Sequence, residues 1–387
     1  MFSTRIPSDL TPNRLSQATV RLRAAGAPVV DLTVSNPTTV GLAFDEGVLA
    51  PLAADAGLVY EPEPFGVAEA RHAVAAEVAR RGAQVAPERI ILTTSTSEAY
   101  AHLLKLLCEP GDEVLVPAPS YPLFEHLARL DAVRAVPYAL DEHGGWAIDT
   151  AAVSRAFSPR TRAVFVVNPN NPTGAYLKRR ELEALSALCA ERSLALVGDE
   201  VFFDYPVEAP ADRVSVLAGG GALTFALGGL SKSAGLPQVK LGWIAAAGPE
   251  ALVADGLARL EIVADTYLSV STLVQHAAAA LIEAGAARRA LIYARVEQNL
   301  ATLRRLAGAH PASRVLPVEG GWSAVIQVPA TRSEEDLVLA LLEEDHVLVH
   351  PGYFFDFPRE AFIVVSLLPP PAEFAEGVER ALARAER

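Results

Sequence analysis

Lysine is scarce in this 387-residue chain: four of its 33 Lys and Arg residues are lysines, at 105, 178, 232 and 240. Arginine is the chain's usual cation, so each retained lysine is a candidate for a place where a guanidinium fails. The chemistry open to a primary amine and closed to a guanidinium is attack on an aldehyde to form a Schiff base. Lys232 sits among small residues in Gly228-Gly229-Leu230-Ser231-Lys232-Ser233-Ala234-Gly235, and Lys240 follows eight residues on. On residue type alone either can supply the amine, whereas Lys105 and Lys178 read as survivors of chance.

Four other segments carry groups that suit such an amine. Thr93-Thr94-Ser95-Thr96-Ser97-Glu98 falls between an apolar run and a helical pattern, so its hydroxyls and free N–H groups form a phosphate cradle or a plain helix cap. Asn168-Pro169-Asn170-Asn171-Pro172-Thr173-Gly174 is a stiff turn that can aim an amide inward. Asp199 ends an apolar run in Gly198-Asp199-Glu200-Val201-Phe202, and a carboxylate placed there needs a partner such as a pyridinium nitrogen. Tyr121, in Pro119-Ser120-Tyr121-Pro122, can stack on a flat ring or join the core.

The elements that must position these groups alternate. Strand-like runs at 89–93, 113–116, 132–138, 162–167, 195–197, 224–227 and 241–245 are nearly continuous in apolar residues. Helical patterns fall between them at 68–82, 97–108, 121–130 and 179–191. This is the pattern of an α/β fold, a mostly parallel sheet sandwiched by helices. In such sheets chemistry collects at the carboxyl ends of strands, where Asn168–Gly174 and Asp199 fall. Beyond about residue 275 the texture changes to a long helix, then shorter strands and helices, which reads as a smaller α+β domain. The expected division is a large domain over 45–275 and a small one formed by both termini, 1–44 plus 276–387.

Composition excludes other classes. A net charge of −13 with no basic run argues against nucleic acid and against an anionic membrane surface. No apolar run reaches membrane-spanning length, and the first fifteen residues lack the apolar core of a signal peptide. Cys108 and Cys189 have neither a CxxC partner nor a neighbouring His, so neither a metal nor a disulfide is expected. The expected location is the cytoplasm.

Taken in order, these motifs resemble the class I/II aminotransferases, fold-type I enzymes that use pyridoxal 5′-phosphate, over nearly the whole chain. The resemblance implies roles residue by residue. Lys232 holds the cofactor as an aldimine and moves the proton of the amino-bearing carbon. Asp199 pairs with the ring nitrogen, Asn171 bonds the phenolic oxygen and Tyr121 stacks on the ring. Thr94, Ser95 and Thr96 hold the phosphate, with Lys240 as its cation where the family usually has Arg. Tyr60 matches a tyrosine that reaches the partner subunit's phosphate, which implies a homodimer with sites at the interface. The activity implied is amino-group transfer between an amino acid and a 2-oxo acid. A β-lyase or a decarboxylase shares the fold, and a non-catalytic ligand-sensing relative is a third reading.

Three positions depart from the family pattern. Phe202 replaces a tyrosine that donates to the phenolic oxygen, which should raise the pH at which the aldimine titrates. Val364 stands where the family's carboxylate-binding arginine belongs. Ser35-Asn36-Pro37-Thr38 replaces a Gly-x-Pro segment. Substrate contacts are therefore expected from Asn36, Asn171 and Trp322, with Arg5, Arg14 or Arg359 as cations that could fold in.

Overall fold

The computed structural model describes residues 2–143 and 145–387; Met1, which opens the expected small domain, lies outside them. In chain order, the first half contains α1 (Arg14–Ala24), β1 (Val30–Asp31), α2 (Ala68–Arg80), β2 (Ile90–Thr93), α3 (Thr96–Leu107), β3 (Glu113–Ala118), α4 (Leu123–Leu130), β4 (Arg134–Asp141), β5 (Ala147–Ile148), α5 (Thr150–Ala156), β6 (Thr161–Val167) and α6 (Arg179–Glu191). Then come β7 (Ala195–Asp199), β8 (Thr224–Gly229), α7 (Leu230–Ser233), β9 (Gly242–Ala247), α8 (Glu250–Tyr267) and α9 (Thr272–Ala307). The chain closes with β10 (Arg314–Val315), β11 (Ser323–Gln327), α10 (Glu334–Glu344), β12 (Val347–Leu348), β13 (His350–Pro351), β14 (Phe362–Ser366) and α11 (Pro371–Ala385).

Eight strands form one sheet in the order β2-β9-β8-β7-β6-β3-β4-β5. Its centre, from β8 to β4, is parallel, as the β–α alternation predicts. The 241–245 run differs: β9 lies antiparallel between β8 and β2. The reason is local, since the link from β8 holds only the single turn α7 and a loop, with no helix long enough to carry the chain back across the sheet as a parallel crossover requires. The central strands β6, β7 and β8 are almost wholly buried, which is why they read as unbroken apolar runs.

A second sheet, β10-β11-β14-β13, is antiparallel, and β1 pairs with β12. Leu15, Ala18, Leu32 and Val40 from the amino-terminal segment share a core with Leu337, Leu341, Phe374 and Val378 from the carboxyl-terminal one. Helix α9 links the two regions. Its 36 residues bury Val274, Ala278, Leu281, Gly285, Arg288, Ile292, Val296 and Leu303, one stripe at helical spacing. At 1.5 Å per residue it runs about 54 Å. Its early turns pack beside the eight-stranded sheet with Leu236 and Leu241, and its later ones join the core around Trp322.

Candidate active site

The carboxyl ends of the central strands open onto a cavity of about 180 Å³. Of the residues expected from sequence, Thr96, Tyr121, Asn171, Asp199, Lys232 and Trp322 line it together.

Lys232 enters on the single turn α7. Its Nζ lies 5.1 Å from the centre of the Trp322 ring, 5.6 Å from that of Phe202 and 3.4 Å from the Ser35 carbonyl oxygen. Burial among these groups pushes the amine down to about 8, against the pull of the Asp199 charge in the opposite direction. An appreciable share of Lys232 is thus a free nucleophile near neutral pH.

Asp199 is the last residue of β7 and is buried. Its Oδ2 accepts the Tyr100 hydroxyl at 2.8 Å and its Oδ1 accepts the Val201 N–H at 3.1 Å. Burial raises its carboxyl pKa, and both donors, with Lys232, act against that rise. Burial and the Asp199 charge hold the Tyr100 hydroxyl far above its ordinary value, so it remains a donor. Tyr100 escaped the sequence reading because a helical aromatic reads as core. Its signal was its position, four residues after Thr96 on the same helix face.

The loop after β6 sorts three asparagines that the sequence leaves alike. Asn168 Nδ2 donates to Val214 O at 2.8 Å and to Glu200 Oε1 at 3.1 Å, and Asn170 Nδ2 donates to Pro119 O at 2.9 Å. Both are consumed in holding the loop. Asn171 faces the cavity, where the Ser323 hydroxyl lies 3.4 Å from its Oδ1.

At the start of α3, Ser95 caps the helix by accepting Glu98 N–H at 3.2 Å. Thr94 is already engaged, its N–H and hydroxyl both donating to Glu98 Oε2 at 2.7 and 3.0 Å. Thr96 and Ser97 line the cavity with first-turn N–H groups that no preceding carbonyl of the helix can reach. Ser35, which opens the departing Ser35–Thr38 segment, also faces it, as do Ser231 and Ser366, which were not singled out from sequence. Ser231 could have been, by its adjacency to Lys232.

Other expected residues lie outside the cavity wall. Lys240 is exposed, with φ of 60°. Asn36 turns its side-chain oxygen back to Thr38, accepting from its N–H at 3.0 Å and its hydroxyl at 2.8 Å. Tyr60 is 66% exposed and lines a separate groove with His102 and Leu268. Val364 is buried with Trp146, Phe355, Phe357 and Phe362, so an apolar cluster fills that strand position. Arg14 pairs with Glu335 at 2.9 Å, Arg359 with Glu142 at 2.8 Å, and Arg5 donates to Leu130 O at 3.2 Å. These three arginines are held at the surface, away from Lys232.

The chain is similar to glutamate-pyruvate aminotransferase AlaA of Escherichia coli K12, with 29% identity over 260 residues, 66% of this chain and 64% of that one. It thus spans a little under two thirds of the length of that relative. Similarity to alanine aminotransferase of Mycobacterium tuberculosis H37Rv extends over 376 residues at 27% identity, 94% of this chain and 87% of the relative. Among solved structures, alanine aminotransferase from Pyrococcus furiosus superposes over the full length of both chains with a TM-score of 0.90 at 23% identity, a likeness of fold. The sequence model for aminotransferase class I and II matches residues 31–380, nine tenths of the molecule, and the chain belongs to that family.

Proposed function

We propose that the protein is a pyridoxal-phosphate-dependent aminotransferase that moves an amino group between an amino acid and a 2-oxo acid. The observation that carries this reading is the pairing, in one cavity, of an amine held near pKa 8 with a buried carboxylate fixed by two donors. The donor set suits pyridoxal phosphate: an amine for its aldehyde, Asp199 for its ring nitrogen, Asn171 for its phenolic oxygen and Tyr121 for its ring face. Thr96 and Ser97 on α3, with Ser231, suit its phosphate, since hydroxyls and open N–H groups there meet the positive end of a helix. The cofactor, when bound, supplies the aldehyde and a ring that takes up electrons from the amino-bearing carbon.

The chain's own residues do the rest. Lys232 would hold the aldehyde of the cofactor and, when freed, would serve as the base that moves the proton of the amino-bearing carbon. Asp199 would face the ring nitrogen and favour its protonated form. Phe202 and Trp322 wall the amine from water. Trp322 Nε1 is buried without a protein partner among the described residues, which suits it to donate to a substrate carboxylate. Thr94 and Ser95 contribute by shaping the cradle. Lys240, Tyr60 and Asn36 keep their proposed roles only if binding or a second subunit brings them in.

The relatives named above are aminotransferases, which favours transfer over the lyase and decarboxylase readings, and glutamate with pyruvate is the first pair to try. A homodimer is supported by exposed Leu58, Val59 and Tyr60 and by the groove that Tyr60 shares with Leu268. Two free cysteines, one of them buried, support the cytoplasm, and among the described residues no helix is long and apolar enough to cross a membrane. The division into 45–275 and 1–44 plus 276–387 is proposed on the separate packing of the two sheets.

The test is an absorbance titration of the protein with pyridoxal phosphate, then with single amino donors. Bleaching of the visible band by a donor and its return with an oxo acid are the expected result. Release of ammonia or carbon dioxide without an acceptor refutes the reading.

A further inference from the structure

The main chain that carries Lys232 is gripped on four consecutive carbonyls. Lys232 O accepts the Tyr205 hydroxyl at 2.6 Å and Ser233 O accepts Arg289 Nη1 at 3.0 Å. Ala234 O accepts Arg288 Nε and Gly235 O accepts Arg288 Nη2, each at 2.9 Å. These carbonyls close a one-turn helix, where the chain has few amides left to satisfy them and where cations complement the helix end. No residue of this grip carries a recognised catalytic signature, and none was singled out from sequence.

The grip is built into one face of α9. Gly285, Arg288, Arg289 and Ile292 fall at successive positions i, i+3, i+4 and i+7, so all four meet the same surface. A Cβ on Gly285 would stand 2.7 Å from Ala234 Cβ, so the helix backbone rests directly on the Lys232 turn. Gly235 has φ of +62°, and a Cβ there would meet Ile292 at 2.8 Å. Arg288 is 5% exposed, and its guanidinium lies 3.5 Å from the centre of the Phe44 ring. Arg289 is held in turn by Glu77 at 3.3 Å. Tyr205 is fully buried and meets Trp322 edge-on at 5.1 Å, and Trp322 is the same ring that walls the Lys232 amine.

Only the side chain of Lys232 has to move during a reaction, since the amine must leave its carbonyl partner, collect a proton and return. A lysine has four rotatable bonds, and its amine finds the same point again only if its Cα is fixed. We infer that Tyr205, Arg288 and Arg289 are positioning residues that fix the main chain of Lys232 so that its amine meets the carbonyl carbon in reacting geometry. This inference rests on Lys232 being the carbonyl-capturing amine of the proposed function. None of the three touches the reacting atoms; they act through the backbone.

The test uses the full chain with Tyr205→Phe, which removes one hydroxyl and keeps the ring, and Arg288→Met, which keeps the stem. Arg288→Lys, with one donor group in place of the fork, serves as the conservative partner. Three readouts are taken. The first is the rate of covalent capture of pyridoxal phosphate, fixed by borohydride and mapped to Lys232. The second is the affinity for pyridoxamine phosphate, which binds without a covalent bond. The third is amide hydrogen exchange over residues 230–236 in the cofactor-free chain.

Capture is expected to slow by about tenfold or more in Tyr205→Phe and Arg288→Met, the loss of one well-placed hydrogen bond or more, with partial recovery in Arg288→Lys. Affinity for pyridoxamine phosphate should stay within about twofold, and exchange at 230–236 should quicken by about tenfold. Unchanged capture overturns the inference, and so does an equal fall in capture and in pyridoxamine phosphate affinity. If the unaltered protein captures no pyridoxal phosphate, the proposed function falls. Exchange then decides the grip alone, and unchanged exchange in the variants overturns it.

Discussion

The displacement of the Lys232 amine to about 8 makes a quantitative prediction. Two perturbations test it: pH, and Asp199→Asn, which removes the charge that holds the amine up. With a pKa near 8, roughly 9% of Lys232 is neutral at pH 7, against roughly 0.04% of an unperturbed lysine, an advantage of about 200-fold in reactive amine. The profile should rise steeply from pH 7 to 9 and flatten above it. The sign follows from the cause: burial disfavours the charged form, and the Asp199 carboxylate opposes burial. Removing that charge therefore moves the midpoint below its unaltered value. The same shift links to stability. Between about pH 8 and 10.4 the unfolded chain binds more protons at this lysine than the folded one, so its contribution to stability rises with pH across that window and is a fixed penalty below it. The assay is trace acetylation of the cofactor-free chain across pH 6 to 11, read peptide by peptide in a mass spectrometer. Lys105 lies in a separate peptide, between Arg89 and Arg129, and reports the reagent dose. A Lys232 midpoint near 10, or a midpoint that climbs in Asp199→Asn, refutes the argument that burial activates the amine.

Four further outcomes are expected. Tyr100→Phe leaves Asp199 Oδ2 without its donor, raises the carboxyl pKa further and weakens pyridoxal phosphate binding by about tenfold, measured as the dissociation constant against pH. Phe202→Tyr places a hydroxyl on the cavity wall and should lower the pH at which the visible absorbance band of the loaded protein titrates. Trp322→Phe removes the unpartnered indole N–H and should raise KM for an amino acid about tenfold more than it lowers kcat, read from steady-state kinetics. Val364→Arg buries a guanidinium among Trp146, Phe355, Phe357 and Phe362 and should cost roughly 3–5 kcal/mol in denaturant unfolding rather than install a carboxylate site.

Much of the site was legible from sequence because chemistry there is local. The rarity of lysine narrowed the amine to Lys232 and Lys240, the order of motifs favoured Lys232, and an apolar run ending in Asp199 placed a carboxylate at a strand terminus, where burial forces it to find a partner. The β–α alternation fixed which strand ends face one another, and that is enough to bring Thr96, Asn171, Asp199 and Lys232 to one cavity. What the chain order could not decide is how each polar atom is spent. Thr94 gives both its donors to Glu98, Asn168 and Asn170 give theirs to the loop, and Tyr100 turns from the core to Asp199, because hydrogen-bond partners are settled by distances between segments tens of residues apart. The antiparallel course of β9 follows from a link that holds one helical turn and no crossover helix, a feature that shows only once both strands are placed. The grip on Lys232 lies furthest from sequence: Tyr205, Arg288 and Arg289 have the types of ordinary core and surface residues. Only the docking of α9 against α7, close enough to require Gly285, turns two arginines of a long helix toward carbonyls 53 to 56 positions away. Residue type and period determined which groups could react, and tertiary packing decided which were held, because holding is a matter of contacts that the linear chain does not contain.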